Sequence, residues 1–521
     1  DINYTLWKFK LFEFGSLTTM ASPVAVDNKV YVTVPFLRCL NASTGEEIWS
    51  NSTIGMHTLA PAVADGKVFV CNSSSIHCLD ANTGAHLWNF TTDNEFTKHN
   101  SAATAIDGKT FIGNEGGVWC LNATTGNQIW YTPNPALGPV AINGDRVFTA
   151  GYEVYCLNAT TGLELWSHSV GFQIWASPAI SDGRVFTGTG IFPEGNGILY
   201  CLNETTGDEI WNFTSDMPNT QILSSPAIAY QRVLVFMGTK LYCLNVVDGT
   251  ELWLRAFDAG SLSSPAVANN KVVIGVDDQN VYCLDLINGN TIWKYKTGDI
   301  VDSSPALADG KVLICSDDGY LYCFSRDPVP PTITIINPPN NAIFNVSTIT
   351  VSGTASDNFQ IKSVMVRINF GEWTEATGTT SWNISTILRL GVNIIEVQAF
   401  DASDNPSQIA SVNITFDNAK PVIYTPIQSP SQNSVLPDQQ VLVSVLIIDF
   451  LTGIKKATLE YDINDSSIWI QTPMNYNSAT GLYEAIIPRQ LQAAHVRYKI
   501  IACDYAENIA CLLYTSDAAD E

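Results

Sequence analysis

Two pairs of adjacent aspartates, Asp277-Asp278 and Asp317-Asp318, stand forty residues apart, with Asp299 and Asp302 between them. Carboxylates spaced this way suit a hard cation, which takes oxygen ligands, or a cationic or polar ligand. The competing reading is a solvated acidic rim that holds nothing. Twelve cysteines raise disulfides or metal chemistry, but there is no Cys-x-x-Cys pair and no clustered histidine. Two Ala-x-Asp-x-x-x-Asn corners, Ala399–Asn405 and Ala502–Asn508, offer oxygens to calcium, or to the backbone amides that Asx side chains cap in turns. No nucleophile–base pair or phosphate loop stands out. No catalytic residue and no metal ligand is therefore assigned.

The elements that position these residues follow from a ladder of tryptophans: Trp7, Trp49, Trp88, Trp130, Trp166, Trp211, Trp253 and Trp293, spaced by 36 to 45 residues. A period near forty marks a propeller or a solenoid. Each period holds four short apolar runs parted by Asp-Gly, Asn-Gly or Thr-Gly turns, the pattern of antiparallel strands. The segment from Ser304 to Arg326 supplies only three strands and no closing tryptophan. Leu6-Trp-Lys-Phe-Lys10 matches Ile292-Trp-Lys-Tyr-Lys296, the fourth strand of the preceding unit. The N-terminal strand is thus expected to complete the last blade and close a ring of eight. An open solenoid would carry polar caps at its ends.

The turns read Cys39-Leu-Asn-Ala-Ser-Thr-Gly45 before Trp49, Cys78-Leu-Asp-Ala-Asn-Thr-Gly84 before Trp88, and likewise from Cys120 and Cys156. This resembles the PQQ-like, tryptophan-docking repeat, with Cys in place of the leading Ala and often Asn in place of Asp. The resemblance covers about residues 1–326 and implies an eight-bladed β-propeller whose tryptophans hold blades together. It spans quinoprotein dehydrogenases, outer-membrane assembly scaffolds and surface proteins, so it implies no single activity.

In such blades the second-to-third and fourth-to-first connections share one face, and loops are where function usually sits. That face should display Asp93, Glu95, His99, Trp175, Glu194, Asp216, Asp258, Asp277, Asp278, Asp299, Asp302, Asp317 and Asp318. The ligand-binding candidates are Asp277, Asp278, Asp299, Asp302, Asp317, Asp318, Trp175 and His99. Eight cysteines recur at one repeat position (39, 78, 120, 156, 201, 243, 283 and 323). Equivalent positions on stacked sheets lie about 10 Å apart, too far for disulfides, so these read as small buried apolar residues. Cys71 and Cys315 could meet Cys78 and Cys323 across a hairpin only if the register allowed it.

After Asp327-Pro-Val-Pro-Pro331 the period stops, and strands at sandwich spacing follow. The expected architecture is all-β: a propeller over 1–326, an immunoglobulin-like β-sandwich over 327–417, and a second over 418–510 that lacks its last strand. Residues 511–521 resemble a translated sequencing adapter and are expected to be non-native.

The net charge of −24, with 26 Lys plus Arg, argues against a nucleic-acid partner. No apolar run reaches the roughly 18 residues of a membrane span. Sequons at Asn3, Asn41, Asn51, Asn72, Asn89, Asn122, Asn158, Asn203, Asn212, Asn345, Asn383, Asn413 and Asn464 are glycan acceptors if the chain is exported, although the repeat's own turn generates several of them. The expected role is a non-enzymatic extracellular or cell-surface protein, binding a protein or glycan at the propeller loop face, with homo-assembly possible and no cofactor. The alternatives are a PQQ- and calcium-dependent quinoprotein dehydrogenase, and a protomer of a surface layer or filament.

Overall fold

Each forty-residue period folds into one antiparallel four-stranded blade. Blade 1 runs Val24–Val26, Lys29–Val32, Leu37–Asn41 and Glu47–Asn51, in that spatial order, and blades 2 to 7 repeat the plan through Thr291–Lys296. Blade 8 takes Ala306–Ala308, Lys311–Ser316 and Tyr320–Ser325 from one end of the propeller and Tyr4–Lys10 from the other. Tyr4 to Lys10 pairs antiparallel with Ser325 to Tyr320. The N-terminal clasp read from the sequence is therefore present in this computed structural model. It describes residues 4–514 apart from 13–20, 54–58, 73–74, 93–100, 172, 190–195, 219, 432–434, 437 and 491–493. Two compact units divide at Asp327 and Pro328.

The second and third strands of each blade are buried almost throughout, and the fourth alternates between exposed and buried positions. Each repeat cysteine lies directly across from a tryptophan, as in Cys78 opposite Trp88 and Cys323 opposite Trp7. A β-bulge follows the cysteine in blades 1 to 7, which re-aims the neighbouring side chain. The indole leaves its own blade and lies on the Thr-Gly turn of the next. At Gly84, where φ is +69°, an added Cβ would come within 2.5 Å of Trp49 Cε3. Glycine is needed there both for the left-handed backbone and for the close approach. The indole Nε1 donates to a carbonyl of the same neighbouring turn: Trp7 to Ala42 O at 3.1 Å, Trp130 to Ala159 O at 3.2 Å, Trp253 to Leu286 O at 2.9 Å.

Closure is also written along the inner strands. The Ser177 amide donates to Ser225 Oγ, Ser225 to Ser264 Oγ, Ser264 to Ser304 Oγ, and Ser304 to Ser22 Oγ at 2.8 Å. The last link joins blade 8 to blade 1.

One seam departs from this plan. After Ser325 the chain leaves blade 8 without making a Thr-Gly turn, because the N-terminus supplies the fourth strand. Trp293 of blade 7 therefore has no glycine to lie on, and its buried Nε1 finds no acceptor. The aromatic that flanks the tryptophan in blades 1 to 5 (Tyr31, Phe69, Phe111, Phe148, Phe186) is Val273 in blade 7. An open pocket of about 220 Å³ lies at this seam, lined by Val273, Cys283, Trp293, Leu307 and Val312 and, at its mouth, by Asn269, Lys271 and Asp309.

The second unit holds two sandwich cores. The first surrounds Trp382, Val364 and Ile395, between a sheet of Thr332–Asn337, Thr348–Ser356 and Ser381–Ile387 and a five-stranded sheet that includes Gly391–Asp401 and Ala410–Phe416. The second core surrounds Leu459, Tyr461 and Ile500. Here the expectation of a missing last strand is corrected: Ile509–Tyr514 pairs antiparallel along Val496–Asp504, with Tyr514 stacked on Tyr498. The run Ile-Ala-Cys-Leu-Leu-Tyr alternates exposed and half-buried positions as an edge strand does. The remainder of the expected tail, 515–521, lies outside the described residues. No disulfide joins any of the twelve cysteines. Cys71 faces Ile76 and Cys315 faces Leu321, so the hairpin pairings fail on register.

Replacing Trp7 by Ala removes the clasp's indole and should cost about 3 kcal/mol, read as a lower denaturant midpoint of the propeller transition. Replacing Val273 by Phe should fill the seam pocket and add about 1 kcal/mol. A midpoint unmoved by either change would contradict this account of docking.

Candidate functional site

The connections entering blades 1 and 5 to 8 end on a Ser-Pro step at the innermost strand. Because consecutive Ser residues bond directly, the residues two positions before each Ser stand in adjacent blades at equivalent places. They are Trp175, Leu223, Leu262 and Asp302. The first three are 45%, 40% and 44% exposed, a set of large apolar side chains on the loop face that ends in a carboxylate. Trp175 was expected from the sequence; Leu223 and Leu262 were missed. Their shared offset from Ser225-Pro226 and Ser264-Pro265 was the available signal.

Around Asp302 the structure sorts the aspartates into two jobs. The second residue of each pair is a turn cap. Asp278 Oδ1 accepts the Asn280 amide at 3.1 Å and Oδ2 accepts the Tyr282 hydroxyl at 2.5 Å. Asp318 repeats this with Tyr320 N at 3.1 Å and Tyr322 OH at 2.6 Å, and also accepts Gly298 N at 2.8 Å. Asp299 caps the Ile300 amide, and Asp216 is held by Lys240 and Tyr242.

The first residue of each pair behaves differently. Asp277, Asp317 and Asp302 come together from the blade 7 turn, the blade 8 turn and the connection between those blades. Each keeps a buried Oδ1 with no donor from a neighbouring amide, hydroxyl or cation, and Asp277 and Asp302 face each other as a carboxyl pair that can share a proton. Burial, reinforced by Asp277, pushes the Asp302 carboxyl up to about 7, and burial beside Asp299, Asp277 and Asp318 pushes Asp317 up to about 6. Of the other expected residues on this face, His99, Asp93, Glu95 and Glu194 lie outside the described residues.

A second group of carboxylates lies in the sandwich unit. Asp417, Asp449 and Asp504 place one oxygen each within 4.8 Å of one another, and Asp417 and Asp504 are buried. That spacing is compatible with one ion, in a region where the sequence assigned no metal. The oxygens already have protein donors, however. Asp417 accepts Ala419 N and Thr452 Oγ1, Asp449 accepts three turn amides, and Asp504 accepts the Asn508 amide and side chain. The earlier corner is built the same way, with Asp401 accepting Ser403 N, Asn405 N and Asn405 Nδ2. Both corners thus carry the turn chemistry that competed with calcium in the sequence.

The sequon asparagines divide similarly. Asn41, Asn122, Asn158 and Asn203 cap the repeat turns through their side-chain oxygens. Asn89, Asn212, Asn345, Asn383, Asn413 and Asn464 are exposed.

The raised carboxyls fix a sign. Asp302 and Asp317 hold protons in the folded protein at pH values where the unfolded chain has released them, so stability falls as pH rises from about 4 to about 7. With chelator present, Asp302→Asn should flatten that fall and melt above the parent protein at pH 8. An unchanged slope between pH 4 and 8 would contradict it.

The model of the family described as outer membrane protein assembly factor BamB matches residues 4–136 and 114–327, and that of a bacterial Ig domain matches residues 331–397. Among curated proteins no sequence matches. Similar solved structures include BamB from Moraxella catarrhalis (TM-score 0.50, 16% identity, covering 62% of this chain and 99% of that one). Sqt1 from Saccharomyces cerevisiae gives 0.52 at 11% identity over 62% and 99%. The quinohemoprotein alcohol dehydrogenase ADHIIG from Pseudomonas putida HK5 gives 0.51 at 14% identity over 65% and 79%. At these identities the likeness is one of fold. The family match spans the whole docking-tryptophan ring, and the chain belongs to the BamB family of PQQ-like repeat propellers, followed by a bacterial immunoglobulin-like domain.

Proposed function

We propose that this chain is a non-enzymatic extracellular or cell-surface protein whose propeller is a binding platform presented by the sandwich modules. The observation that carries the reading is the set Trp175, Leu223 and Leu262, exposed at equivalent places on three adjacent blades and flanked by the acidic residues around Asp302. Large apolar side chains on a rigid rim are suited to anchoring a partner, and a neighbouring acidic patch steers basic groups toward it. The matching partner is a protein segment with apolar and basic side chains. The exposed sequons fit glycans on the same exported protein.

A quinoprotein role fits less well. PQQ is itself a polycarboxylate, and Asp277, Asp302 and Asp317 already present buried carboxyl oxygens on the loop face. A further anion would be repelled there.

The test is site-directed photo-crosslinking in the native host. A photoreactive residue at position 223 should give a discrete protein adduct. One at position 163, on the Thr-Gly turn side, should not, and Trp175→Ser with Leu262→Ser should abolish the adduct. Alcohol-dependent dye reduction after loading with PQQ and calcium, or equal adducts from both positions, would overturn the reading.

A further inference from the structure

We propose that the open pocket between the inner turns of blades 7 and 8 binds a small aromatic carboxylate. The ligand's ring takes the place of an aromatic side chain that the repeat supplies elsewhere, and its oxygen answers Trp293. The pocket opens among the turns between first and second strands, on the side opposite the loop face. It therefore does not rest on the partner proposed there.

The other blades show what belongs in this space. In blade 1 the residue across from Cys39 is Tyr31, and in blade 3 Phe111 stands across from Cys120. Their rings lie 6.0 Å and 5.8 Å from the tryptophan of the same blade, tilted by 55° and 56°. In blade 7 that position is Val273, across from Cys283, and both residues line the pocket with Trp293. Leu307 and Val312 of blade 8 complete an apolar floor. The floor is also firm, because Phe324 of blade 8 packs on Trp293 with ring centroids 5.6 Å apart. An apolar protein cavity of roughly 150 Å³ takes up benzene. The volume here, about 220 Å³, leaves room for a ring and a short polar group.

The same comparison places an acceptor. In blade 1 the Tyr31 hydroxyl and the Trp49 indole donate to one oxygen, Ala81 O, at 3.0 and 3.2 Å. In blade 3 the Lys109 ammonium and the Trp130 indole meet at Ala159 O, at 3.1 and 3.2 Å. The tip of the ring, the lysine that begins the second strand and the indole N–H thus converge on one oxygen. Lys271 and Trp293 hold the last two of these positions in blade 7, and both line the pocket. Trp293 is 6% exposed, and its buried Nε1 has no acceptor. A buried donor left this way is costly, and an oxygen carried at the tip of a bound ring would meet it.

Charge selects the kind of oxygen. Lys271 and Lys311 line the pocket with a single carboxylate, Asp309, on a chain whose net charge is −24. This local excess of cations beside an indole N–H favours a carboxylate over a neutral oxygen.

The experiment is a calorimetric titration of the full chain with phenylacetate, and separately with benzyl alcohol and with acetate. Phenylacetate should saturate one site. Benzyl alcohol lacks the charge and acetate lacks the ring, so each should bind at least about tenfold more weakly. Val273→Phe fills the pocket from within and should weaken phenylacetate at least about tenfold, while melting no lower than the parent. Lys271→Gln should weaken phenylacetate about threefold and leave benzyl alcohol unmoved. A parent that takes up no phenylacetate would overturn the proposal and leave water as the partner of Trp293 Nε1. Acetate or benzyl alcohol binding as tightly as phenylacetate would overturn it too, as would equal phenylacetate affinity in the parent and a folded Val273→Phe. Unchanged affinity in Lys271→Gln would do so however Val273→Phe folds.

Discussion

An indole lying flat on a neighbour's backbone needs a residue without a side chain beneath it and a carbonyl within reach of its N–H. The Thr-Gly turn supplies both. Glycine at positive φ clears the ring, as Gly84 does under Trp49, and the turn's own carbonyl accepts Nε1. Because donor and receptor lie on adjacent blades, the interaction is heterologous: each blade gives a ring to the next and receives one from the last. Such a chain of contacts either closes or leaves one blade unsatisfied at each end. Here Trp7 satisfies blade 1, and the residue of incompleteness moves to the opposite side of blade 8, where Trp293 has no turn to meet.

The same constraint explains the small residue at the third-strand position. A thiol sits across from each tryptophan, where a larger side chain would compete with the ring for space. Burial pushes these thiols well above the usual range, to about 12 for Cys120 and Cys243. At that value they are apolar packing groups rather than nucleophiles. The ring and the thiols are one packing solution, and no chemistry is left over from it.

Much of this was legible in the sequence because a repeat states its rule many times. Trp7 could be assigned to blade 8 from a five-residue match, and the cysteines could be removed from disulfide chemistry by their spacing. What escaped were relations the repeat does not state. Asp277, Asp302 and Asp317 converge only once three separate connections are folded, and nothing in Asp-Asp distinguishes the turn cap from the residue beside it. Leu223 and Leu262 sit in loops of unequal length, where alignment by tryptophan spacing drifts; only the Ser-Pro step restores the register. The last strand escaped because residues from Cys511 onward resemble a translated adapter, and two residues, Ile509 and Ala510, are too few to read as an edge strand.

Ring closure by the first strand also orders events in time. Tyr4–Lys10 has no partner until Tyr320–Ser325 exists, so during synthesis the clasp must wait through some three hundred residues of chain. Until then its tryptophan is exposed and the first blade has no indole on Gly45. Loop-closure entropy grows only slowly with length, so the delay costs little at equilibrium. It does make the junction of blades 8 and 1 the last part of the ring to be sealed by a growing chain, and a nascent propeller stalled before Ser325 would remain an open arc.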